Sequence, residues 1–476
     1  MIVLSENKTK IIAAMDQVSQ KREKYIRRNR YYYKDMIKFL KFNIPGKSRI
    51  LEIGCGTGYL LEALNPAHGV GIDISPGMVA AAKEKYPHLE FHRMDAEHIQ
   101  LNETFDFIVI SDTLGYFEDL EKAFKELTKV SRPGTRIIIT YHNFLWQPLL
   151  KMTEWFRLKM PQARLNWLNK GDIVNLLQLE GFEIIKQGRR FLFPKFFPLL
   201  SWFFNKYIAH MPLVNRLCIT GYIVARPAVC RVADNRDYSV SVIVPARNER
   251  GNIENAVKRM PHLGKHTEII FVEGHSTDDT LAEIKRVCEI YKDEWDITYT
   301  VQEGKGKGDA VRKGFALAAG DILMILDGDL TVAPEDLPKF YNAAATGKGE
   351  YINGSRLVYP MEKQAMRMLN VLGNKFFSMM FSWLLGQPLK DTLCGTKVIS
   401  KVNWEKVVAN RGYFGDFDPF GDFDLIFGAA KLNLKIVEIP IRYRAREYGK
   451  TNISRFRHGW LLLKMVLFAM NKIKFI

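Results

Sequence analysis

The chain has 476 residues, of which 47% are hydrophobic and 25% are charged. These values match an ordinary globular protein, so they exclude long-range disorder, collagen and a pure coiled coil, and the length predicts two or three domains. The five cysteines form no CxxC pair and no cluster with histidine, which argues against a disulfide framework or a structural zinc site. The first ten residues contain no signal-peptide core, so we expect a cytoplasmic protein.

Basic residues outnumber acidic ones by 17, and the whole excess lies in two segments. Residues 21–49 hold eleven Lys or Arg and two acids, and residues 442–476 hold nine and one. Such segments can be solvated faces, or they can bind an anionic membrane surface or the phosphates of nucleic acid. No uncharged apolar run reaches the ~20 residues that a membrane-spanning helix requires, so we expect at most a peripheral position on a membrane.

Residues 47–140 alternate short apolar strands with helical stretches, which is typical of a parallel α/β sheet. The predicted strands are residues 49–54, 69–73, 90–95, 105–111 and 136–141. The first strand leads into the turn Gly54-Cys55-Gly56-Thr57-Gly58, where glycine lets the backbone approach a ligand closely. Asp73 ends the second strand, where a carboxylate can bind a ribose diol, and Asp95 ends the third, where an acid can contact an adenine amine.

These motifs resemble those of the class I S-adenosylmethionine-dependent methyltransferases over roughly residues 30–190. The family's acidic residue followed by GxGxG corresponds to Glu52 and the glycine turn, and Tyr59 stands where a dinucleotide-binding GxGxxG would have its third glycine. The resemblance implies a Rossmann-like fold and S-adenosylmethionine as cofactor. It also implies a cofactor site that comprises Glu52, Gly54, Gly56, Gly58, Asp73, Asp95, Ala96, Ser111 and Asp112.

The methyl acceptor is not indicated by any motif. His142, after the fifth strand, is either a general base for methyl transfer or a structural residue. A helix at 171–182 and strands at 183–191 and 221–227 are predicted to complete the sheet. Between those strands lies an aromatic stretch, residues 191–217, that either packs on the second domain or enters a membrane interface.

A polar linker, residues 229–238, is predicted to separate a first domain (1–228) from a second (239–476). The alternating pattern restarts in the second half, with strands predicted at 240–249, 268–274, 296–302 and 321–329 and helices predicted at 252–260, 278–292 and 307–319. Asp327-Gly328-Asp329 follows the last of these apolar strands directly. Two carboxylates at that spacing can share a hard divalent cation, which also takes oxygens from a diphosphate.

This half resembles the family 2 inverting glycosyltransferases of the GT-A fold, from about residue 238 to 470. Within them it is similar to the dolichyl-phosphate mannose synthase-like group, which transfers sugars to polyprenyl phosphates. The matching motifs are VIVPARNE (242–249), DGDL (327–330), NGSR (353–356) and the closing PIRYRAREYGKTN (440–452).

The resemblance implies transfer of a hexose from a nucleoside-diphosphate sugar to a polyprenyl phosphate, with Mg²⁺ or Mn²⁺ on Asp327 and Asp329. By the same resemblance, the nucleotide-sugar site comprises Pro245, Arg247, Asn248, Glu249, Glu273, Lys307, Asp327, Gly328, Asp329 and Arg356. The implied catalytic residues are Asp391, Asp424 and Arg446. A lipid phosphate is already anionic and nucleophilic, so this acceptor needs no general base.

Two departures from the family pattern affect the donor site. Glu273 replaces the aspartate that contacts the base, and Thr451-Asn452 replaces a closing Ser-Lys, so that Lys450 is the candidate to supply the missing cation. Residues 364–386 form an apolar helix that is either core or membrane-facing, and the basic tail (455–476) carries Trp and Leu. Together these segments predict a peripheral position on the inner face of the cell membrane.

The sequence thus predicts a bifunctional enzyme, a glycosyltransferase with a fused methyltransferase. One alternative is a glycosyltransferase that acts on a glycan hydroxyl and requires a base. Others are a nucleic-acid-binding methyltransferase whose second domain is a scaffold, and a membrane adaptor with two inactive sites. The DGD, GSR and Arg446 set argues against a scaffold, so nucleic acid is not an expected partner.

Overall fold

The structure, a computed structural model, describes residues 5–156, 158–160, 166, 168–228, 238–356, 368–415, 423–443, 446, 448 and 455–475. The chain divides into two compact units, Met1–Ala228 with Phe475–Ile476, and Val229–Lys474. Each unit contains a seven-stranded mixed sheet. The prediction of two α/β domains is confirmed.

The first sheet has the strand order β3-β2-β1-β4-β5-β7-β6. Its strands are β1 (Arg49–Ile53), β2 (His68–Asp73), β3 (Glu90–Arg93), β4 (Phe107–Ser111), β5 (Arg136–His142), β6 (Phe182–Arg190) and β7 (Thr220–Pro227). Strands β1 to β5 are parallel, and β7 runs antiparallel to both of its neighbours. Since the order reverses between β1 and β4, a ligand crevice is expected at the carboxyl ends of those two strands.

Helices cover both faces of this sheet. They are α1 (Glu6–Ser19), α2 (Arg22–Arg28), α3 (Arg30–Asn43), α4 (Tyr59–Leu64), α5 (Pro76–Lys85), α6 (Leu120–Lys129), α7 (Gln147–Trp155), α8 (Lys170–Leu179) and α9 (Leu200–Lys206). Alternate strand residues point to opposite faces: Ile138 packs with Phe39 of α3, whereas Ile137 and Ile139 pack with Phe124 of α6. Helices α1 to α3 were not predicted, and in α2 and α3 the basic residues of 21–49 obscure an apolar stripe.

The second sheet has the order β10-β9-β8-β11-β13-β12-β14. Its strands are β8 (Ser239–Ala246), β9 (His266–Glu273), β10 (Asp296–Val301), β11 (Ile322–Ile325), β12 (Tyr351–Ser355), β13 (Lys397–Ser400) and β14 (Ile436–Pro440). Strands β8 to β11 are parallel, and β13 runs antiparallel to β11 and β12. Strand β11 ends before Asp327, so the Asp-Gly-Asp turn lies in a loop at the carboxyl edge.

The helices of the second unit are α10 (Ile253–Lys258), α11 (Thr280–Tyr291), α12 (Lys307–Leu317), α13 (Leu337–Ala345), α14 (Met368–Leu385), α15 (Lys401–Ala409), α16 (Phe423–Lys431) and α17 (Arg455–Ala469). Helix α14 has both core and exposed positions within residues 364–386, of which 368–386 are described. Phe381 is fully buried and its ring lies 5.2 Å from that of Phe423 on α16, whereas Met379 is 64% exposed. One side of α14 is therefore core and the other faces solvent. Among the described helices, none combines the length and hydropathy needed to cross a membrane.

Candidate active sites

A cavity of about 250 Å³ lies in the first unit, where the strand order predicts a crevice. Gly54 and Gly56, which follow β1, line it with φ angles of +75° and +52°. A Cβ on Gly54 would lie 2.3 Å from the Thr113 side chain, and one on Gly56 would lie 2.7 Å from Nε of Arg22. Both positions therefore require glycine, which keeps the backbone open to a ligand.

Two carboxylates of the predicted cofactor site line the same cavity. Asp73 accepts hydrogen bonds from the amides of Gly56 and Ser75, each at 2.9 Å, and burial raises its pKa. Asp95 accepts one from Nζ of Lys8 at 2.6 Å. The glycine turn and the two acids fit S-adenosylmethionine, because they offer open backbone together with acceptors for ribose hydroxyls and an adenine amine.

The cavity is lined by most of the residues that the sequence predicted for the cofactor, namely Gly54, Gly56, Asp73, Asp95, Ala96, Ser111 and Asp112. Glu52 and Gly58 lie outside its lining. Glu52 is buried and accepts a hydrogen bond from the amide of Leu61 at 3.0 Å, which satisfies a first-turn N–H of α4. Gly58 precedes α4 with φ +76°, and a Cβ there would lie 2.6 Å from the Phe91 ring. These two residues therefore support the conformation of the glycine turn without lining the cavity.

Helices α1 and α2 contribute cavity residues that sequence reasoning missed. Lys8, Ile11, Met15 and Arg22 line the cavity, and Lys8 also contacts Glu97 at 2.6 Å. Lys8, Ile11 and Met15 are buried at positions i, i+3 and i+7 of α1, which is the helical spacing of an inward face. That spacing was the available signal, but it gave no indication of what the face would cover.

The other end of the cavity carries a group of polar side chains that includes His142. Tyr32 donates a hydrogen bond to Asp112, which also accepts one from Oγ1 of Thr140 at 3.3 Å. The ring of His142 lies 6.2 Å from that of Tyr32, and its buried Nδ1 has no hydrogen-bond partner in the structure. Burial lowers the pKa of His142, so the imidazole is neutral near pH 7 and able to accept a proton.

In the second unit, the loops after β8 and β9 are held side by side. Asn248, at φ +57°, donates its amide hydrogen to Oγ of Ser276 at 3.0 Å and accepts one from the amide of Thr277 at 2.7 Å. Glu273 accepts from the Ser276 amide at 2.6 Å. The predicted nucleotide residues Pro245 to Glu249 and Glu273 are thereby brought to one edge of the sheet.

The two acids of the Asp-Gly-Asp turn each face a cation. Lys307 lies 2.5 Å from Asp327, and Arg446 lies 2.5 Å from Asp329 and 3.1 Å from Glu249. Burial raises the pKa of Asp327, but the charge and hydrogen bond of Lys307, together with the charges of Lys397 and Arg356, outweigh it. The net shift is downward, so this carboxylate is ionised at neutral pH. Burial raises the pKa of Glu249 to about 7. Two adjacent carboxylates are the oxygen donors that Mg²⁺ and Mn²⁺ prefer, so the donor set fits a divalent cation.

Gly395 is a further part of this site that the sequence did not single out. A Cβ on Gly395 would lie 1.6 Å from Oδ2 of Asp327, so only glycine leaves room for the carboxylate. Gly395 belongs to the turn between Asp391 and Lys397. The buried Lys397 donates a hydrogen bond to the carbonyl of Cys394 in the same turn.

Two predicted catalytic acids are held by arginines. Asp391 is fully buried and accepts hydrogen bonds from Nε and Nη2 of Arg356 at 2.7 and 2.8 Å. Asp424 contacts Arg312 at 3.3 Å and Arg411 at 3.1 Å. The structure places Asp391 as the residue that orients Arg356. The predicted substitute cation Lys450, with residues 451–452, lies outside the described residues.

Two family models match separate parts of the chain. Residues 25–187 match a model described as a methyltransferase domain. Residues 241–398 match the model described as glycosyl transferase family 2. The first match contains the glycine turn and Asp73, and the second contains the Asp-Gly-Asp turn and Gly395.

Three similar proteins match one half or the other. The dolichol-phosphate mannosyltransferase of Pyrococcus furiosus is 30% identical over 47% of this chain and 64% of its own length. The UDP-N-acetylglucosamine–dolichyl-phosphate N-acetylglucosaminyltransferase of Methanococcus voltae is 26% identical over 50% of this chain and 98% of its own length. The phthiotriol/phenolphthiotriol dimycocerosates methyltransferase of Mycobacterium leprae is 32% identical over 33% of this chain and 58% of its own length. The chain therefore spans less than two thirds of the first and third of these proteins.

Replacing Glu52 by Gln should reduce the loss of stability at alkaline pH. Burial raises the pKa of Glu52 from 4.5 to about 8, and Arg22 and the Leu61 amide offset this only partly. Because the folded chain holds the proton more tightly than the unfolded chain, the contribution of this carboxyl is complete below pH 4.5 and is lost as pH rises through about 8. The melting temperature of the wild type should therefore fall more between pH 6 and 9 than that of Glu52→Gln. The exposed Glu84→Gln is the control, and equal falls in all three proteins would contradict the prediction.

Gly395→Ala should weaken Mn²⁺ binding about 10- to 100-fold, the effect typical of disturbing the support of a metal ligand. The added methyl group must displace the Asp327 carboxylate, whereas the flexible end of that side chain lets the fold persist. Mn²⁺ binding can be followed by electron paramagnetic resonance with UDP or GDP present. Gly412→Ala is the matched control, since a Cβ there meets nothing within 4 Å. Wild-type affinity in the Gly395 variant would argue against Asp327 as a ligand.

Proposed function

We propose that the second unit transfers a hexose from a nucleoside-diphosphate sugar to a polyprenyl phosphate. The chain joins a methyltransferase domain to a family 2 glycosyltransferase domain, and the second unit contains the latter. The observation that carries this proposal is the pair of carboxylates, Asp327 and Asp329, each opposed by a cation beside the nucleotide loops. The names of the two dolichyl-phosphate-using relatives support the acceptor class.

The leaving nucleoside diphosphate gains negative charge as the sugar departs. Asp327 and Asp329 would hold a divalent cation, which would supply Lewis-acid stabilisation of that charge. Lys307 and Arg446 add two positive charges at the same edge of the sheet. Arg356 is held by Asp391, and its guanidinium lies 5.1 Å from the Tyr443 ring.

The two predicted catalytic acids favour an acceptor that needs no general base. The carboxylates of Asp391 and Asp424 are both occupied by arginines, so neither is placed to take a proton from a neutral hydroxyl. A phosphate monoester is already anionic at neutral pH and can attack without deprotonation. A glycan hydroxyl, the alternative acceptor, requires a base that these two acids do not supply.

Exposed apolar side chains support a peripheral position of the second unit on the inner face of the cell membrane. Phe376 and Met379 of α14 are 46% and 64% exposed, and Trp460 and Leu467 of α17 are 58% and 52% exposed. Nζ of Lys464 lies 5.8 Å from the Trp460 ring, an arrangement suited to an interface between headgroups and acyl chains. A lipid-borne acceptor would be reached from such a position.

Incubation with a panel of nucleotide sugars, polyprenyl phosphate and Mg²⁺ or Mn²⁺ should give an organic-phase sugar product with one donor. The product should disappear with EDTA, and Asp329→Asn should lower the rate about 100-fold or more because a ligand of the cation that stabilises the leaving group is lost. Asp336→Asn, in the loop before α13, is the control. Nucleoside diphosphate released only with glycan acceptors would favour the hydroxyl alternative, and an unchanged rate in Asp329→Asn would exclude the metal role.

We further propose that the first unit transfers a methyl group from S-adenosylmethionine. The cofactor supplies an activated methyl group, and Gly54, Gly56, Asp73 and Asp95 would hold it. His142, neutral and with a ring nitrogen that has no partner among the described residues, is the group in the cavity best suited to take a proton from a hydroxyl acceptor. Tyr32 and Asp112, joined by a hydrogen bond, form the adjacent wall.

Asp73→Asn should weaken S-adenosylmethionine binding about tenfold or more, because a charge-assisted hydrogen bond to the ribose is lost. Isothermal titration calorimetry on the full chain measures this directly. Asp119→Asn, which alters a helix cap with a residue that caps equally well, is the control and should bind like the wild type. The absence of wild-type binding would refute the cofactor assignment itself.

A further inference from the structure

Two segments of the first unit, residues 143–156 and 191–217, carry almost all of its exposed apolar surface. Sixteen large apolar side chains are exposed in the described part of residues 1–228, and fifteen of them lie in these segments. Trp155 is 80% exposed, Leu199 81% and Trp202 50%. The exception is Leu179, on α8. We call the two segments the apolar collar.

The topology places the apolar collar at the same sheet edge as the cavity. Residues 143–156 begin directly after His142, the last residue of β5. Residues 191–217 connect the end of β6 to the start of β7, and Arg190 of β6 pairs with Thr220, which pairs with His142. Both segments therefore leave the sheet at the carboxyl end of β5, where the methyl-transfer cavity lies.

The apolar collar also forms part of the cavity wall. Leu150 and Thr153 from its first segment and Pro194 and Lys195 from its second line the cavity, together with Ile219 just beyond. Leu150, Pro194 and Ile219 give this side of the lining apolar surface, beside the polar Thr153 and Lys195. A molecule that reaches His142 along this side passes between exposed aromatic and aliphatic side chains.

The charge of the apolar collar is positive. Its segments hold four basic residues, Lys151, Lys195, Lys206 and Arg216, against a single acid, Glu154, which pairs with Lys159 at 3.1 Å. Nζ of Lys206 lies 5.3 Å from the Trp202 ring and 5.4 Å from that of Tyr207. Aromatic rings with lysines above an apolar face are the composition of segments that lie in the interface of an anionic bilayer.

We propose that the apolar collar rests in the headgroup region of an anionic bilayer, and that the methyl acceptor is a membrane-borne amphiphile which enters the cavity from that bilayer. The exposed apolar surface would be unfavourable in water and is buried by this contact, while the lysines meet anionic headgroups. The claim that this amphiphile accepts a methyl group rests on the proposed methyl transfer. The claim that the apolar collar docks on a bilayer does not depend on it.

Site-specific labels on the full chain test the docking. Trp155→Cys and Trp202→Cys, each labelled with an environment-sensitive fluorophore, should show a blue shift and quenching by spin-labelled lipid on vesicles of 70% phosphatidylcholine and 30% phosphatidylglycerol. The described native cysteines, Cys55, Cys218, Cys288 and Cys394, are buried, and Cys230→Ser provides the background. The label therefore reports the introduced position.

Leu179→Cys is the matched control. Leu179 is exposed as well, to 65%, but it lies at the sheet edge opposite to the apolar collar. Strand β6 begins at Phe182, whose partner Pro227 lies at the end of β7 near the start of β5. A label at 179 should show no blue shift. Blue shifts at 155 and 202 alone support the proposal, whereas no shift at either, or a shift at 179 only, overturns it.

Two further measurements separate the parts of the proposal. Lys206→Glu with Arg216→Glu should abolish the blue shift at 155 on phosphatidylglycerol vesicles, and equal shifts on pure phosphatidylcholine would overturn the requirement for anionic lipid. Calorimetry of S-adenosylmethionine on the labelled variants distinguishes the two failures. If the cofactor binds but the labels do not enter the bilayer, docking of the apolar collar is refuted. If the labels enter the bilayer but the cofactor does not bind, the methyl transfer on which the acceptor assignment rests is refuted.

Discussion

Carboxylates gathered at one edge of a parallel sheet repel each other, and the sites of both units depend on how that repulsion is relieved. Strand ends bring Asp73 and Asp95 together in the first unit and Asp327 and Asp329 together in the second. A buried carboxylate keeps its charge only when hydrogen bonds or cations compensate for the lost water. Backbone amides offset part of that loss for Asp73, and cations from elsewhere in the chain contact the other three carboxylates.

The compensating cations fix the position of whole segments. Lys8 ties α1 to the end of β3 through Asp95, and thereby holds that helix over the cavity. The buried pair of Arg356 and Asp391 ties the end of β12 to the turn before β13. Since removal of one partner would leave an unpaired buried charge, these pairs specify the local geometry more than they add to stability. The chemistry of each site is thus built on contacts that serve the fold first.

The fold and the backbone of each site could be predicted from the sequence because their signals are local. Apolar strands followed by glycine or aspartate predicted the first sheet, β8 to β11 of the second, the turn from Gly54 to Gly58 and the Asp-Gly-Asp turn, whereas β12 to β14 were not predicted. What escaped prediction depends on contacts distant in the sequence. Lys8 contacts Asp95, which lies 87 residues away in the sequence, and Arg356 contacts Asp391, which lies 35 residues away. Glycine is needed at 395 only because Asp327 lies against it. Composition likewise marked residues 21–49 as basic, yet gave no hint that Arg22 faces inward.

The ion pairs of the Asp-Gly-Asp turn have a thermodynamic consequence. Lys307 and Arg446 already pair with the acids that are proposed to hold a divalent ion. An ion that binds without nucleotide must therefore compete with the ammonium group of Lys307 and the guanidinium group of Arg446. A diphosphate offers those same groups new anionic partners. Ion and nucleotide therefore each lower the free-energy cost of binding the other, and linkage requires the two enhancements to be equal. The second unit should consequently behave as a cooperative receptor for the ion–nucleotide complex and show little affinity for either component by itself.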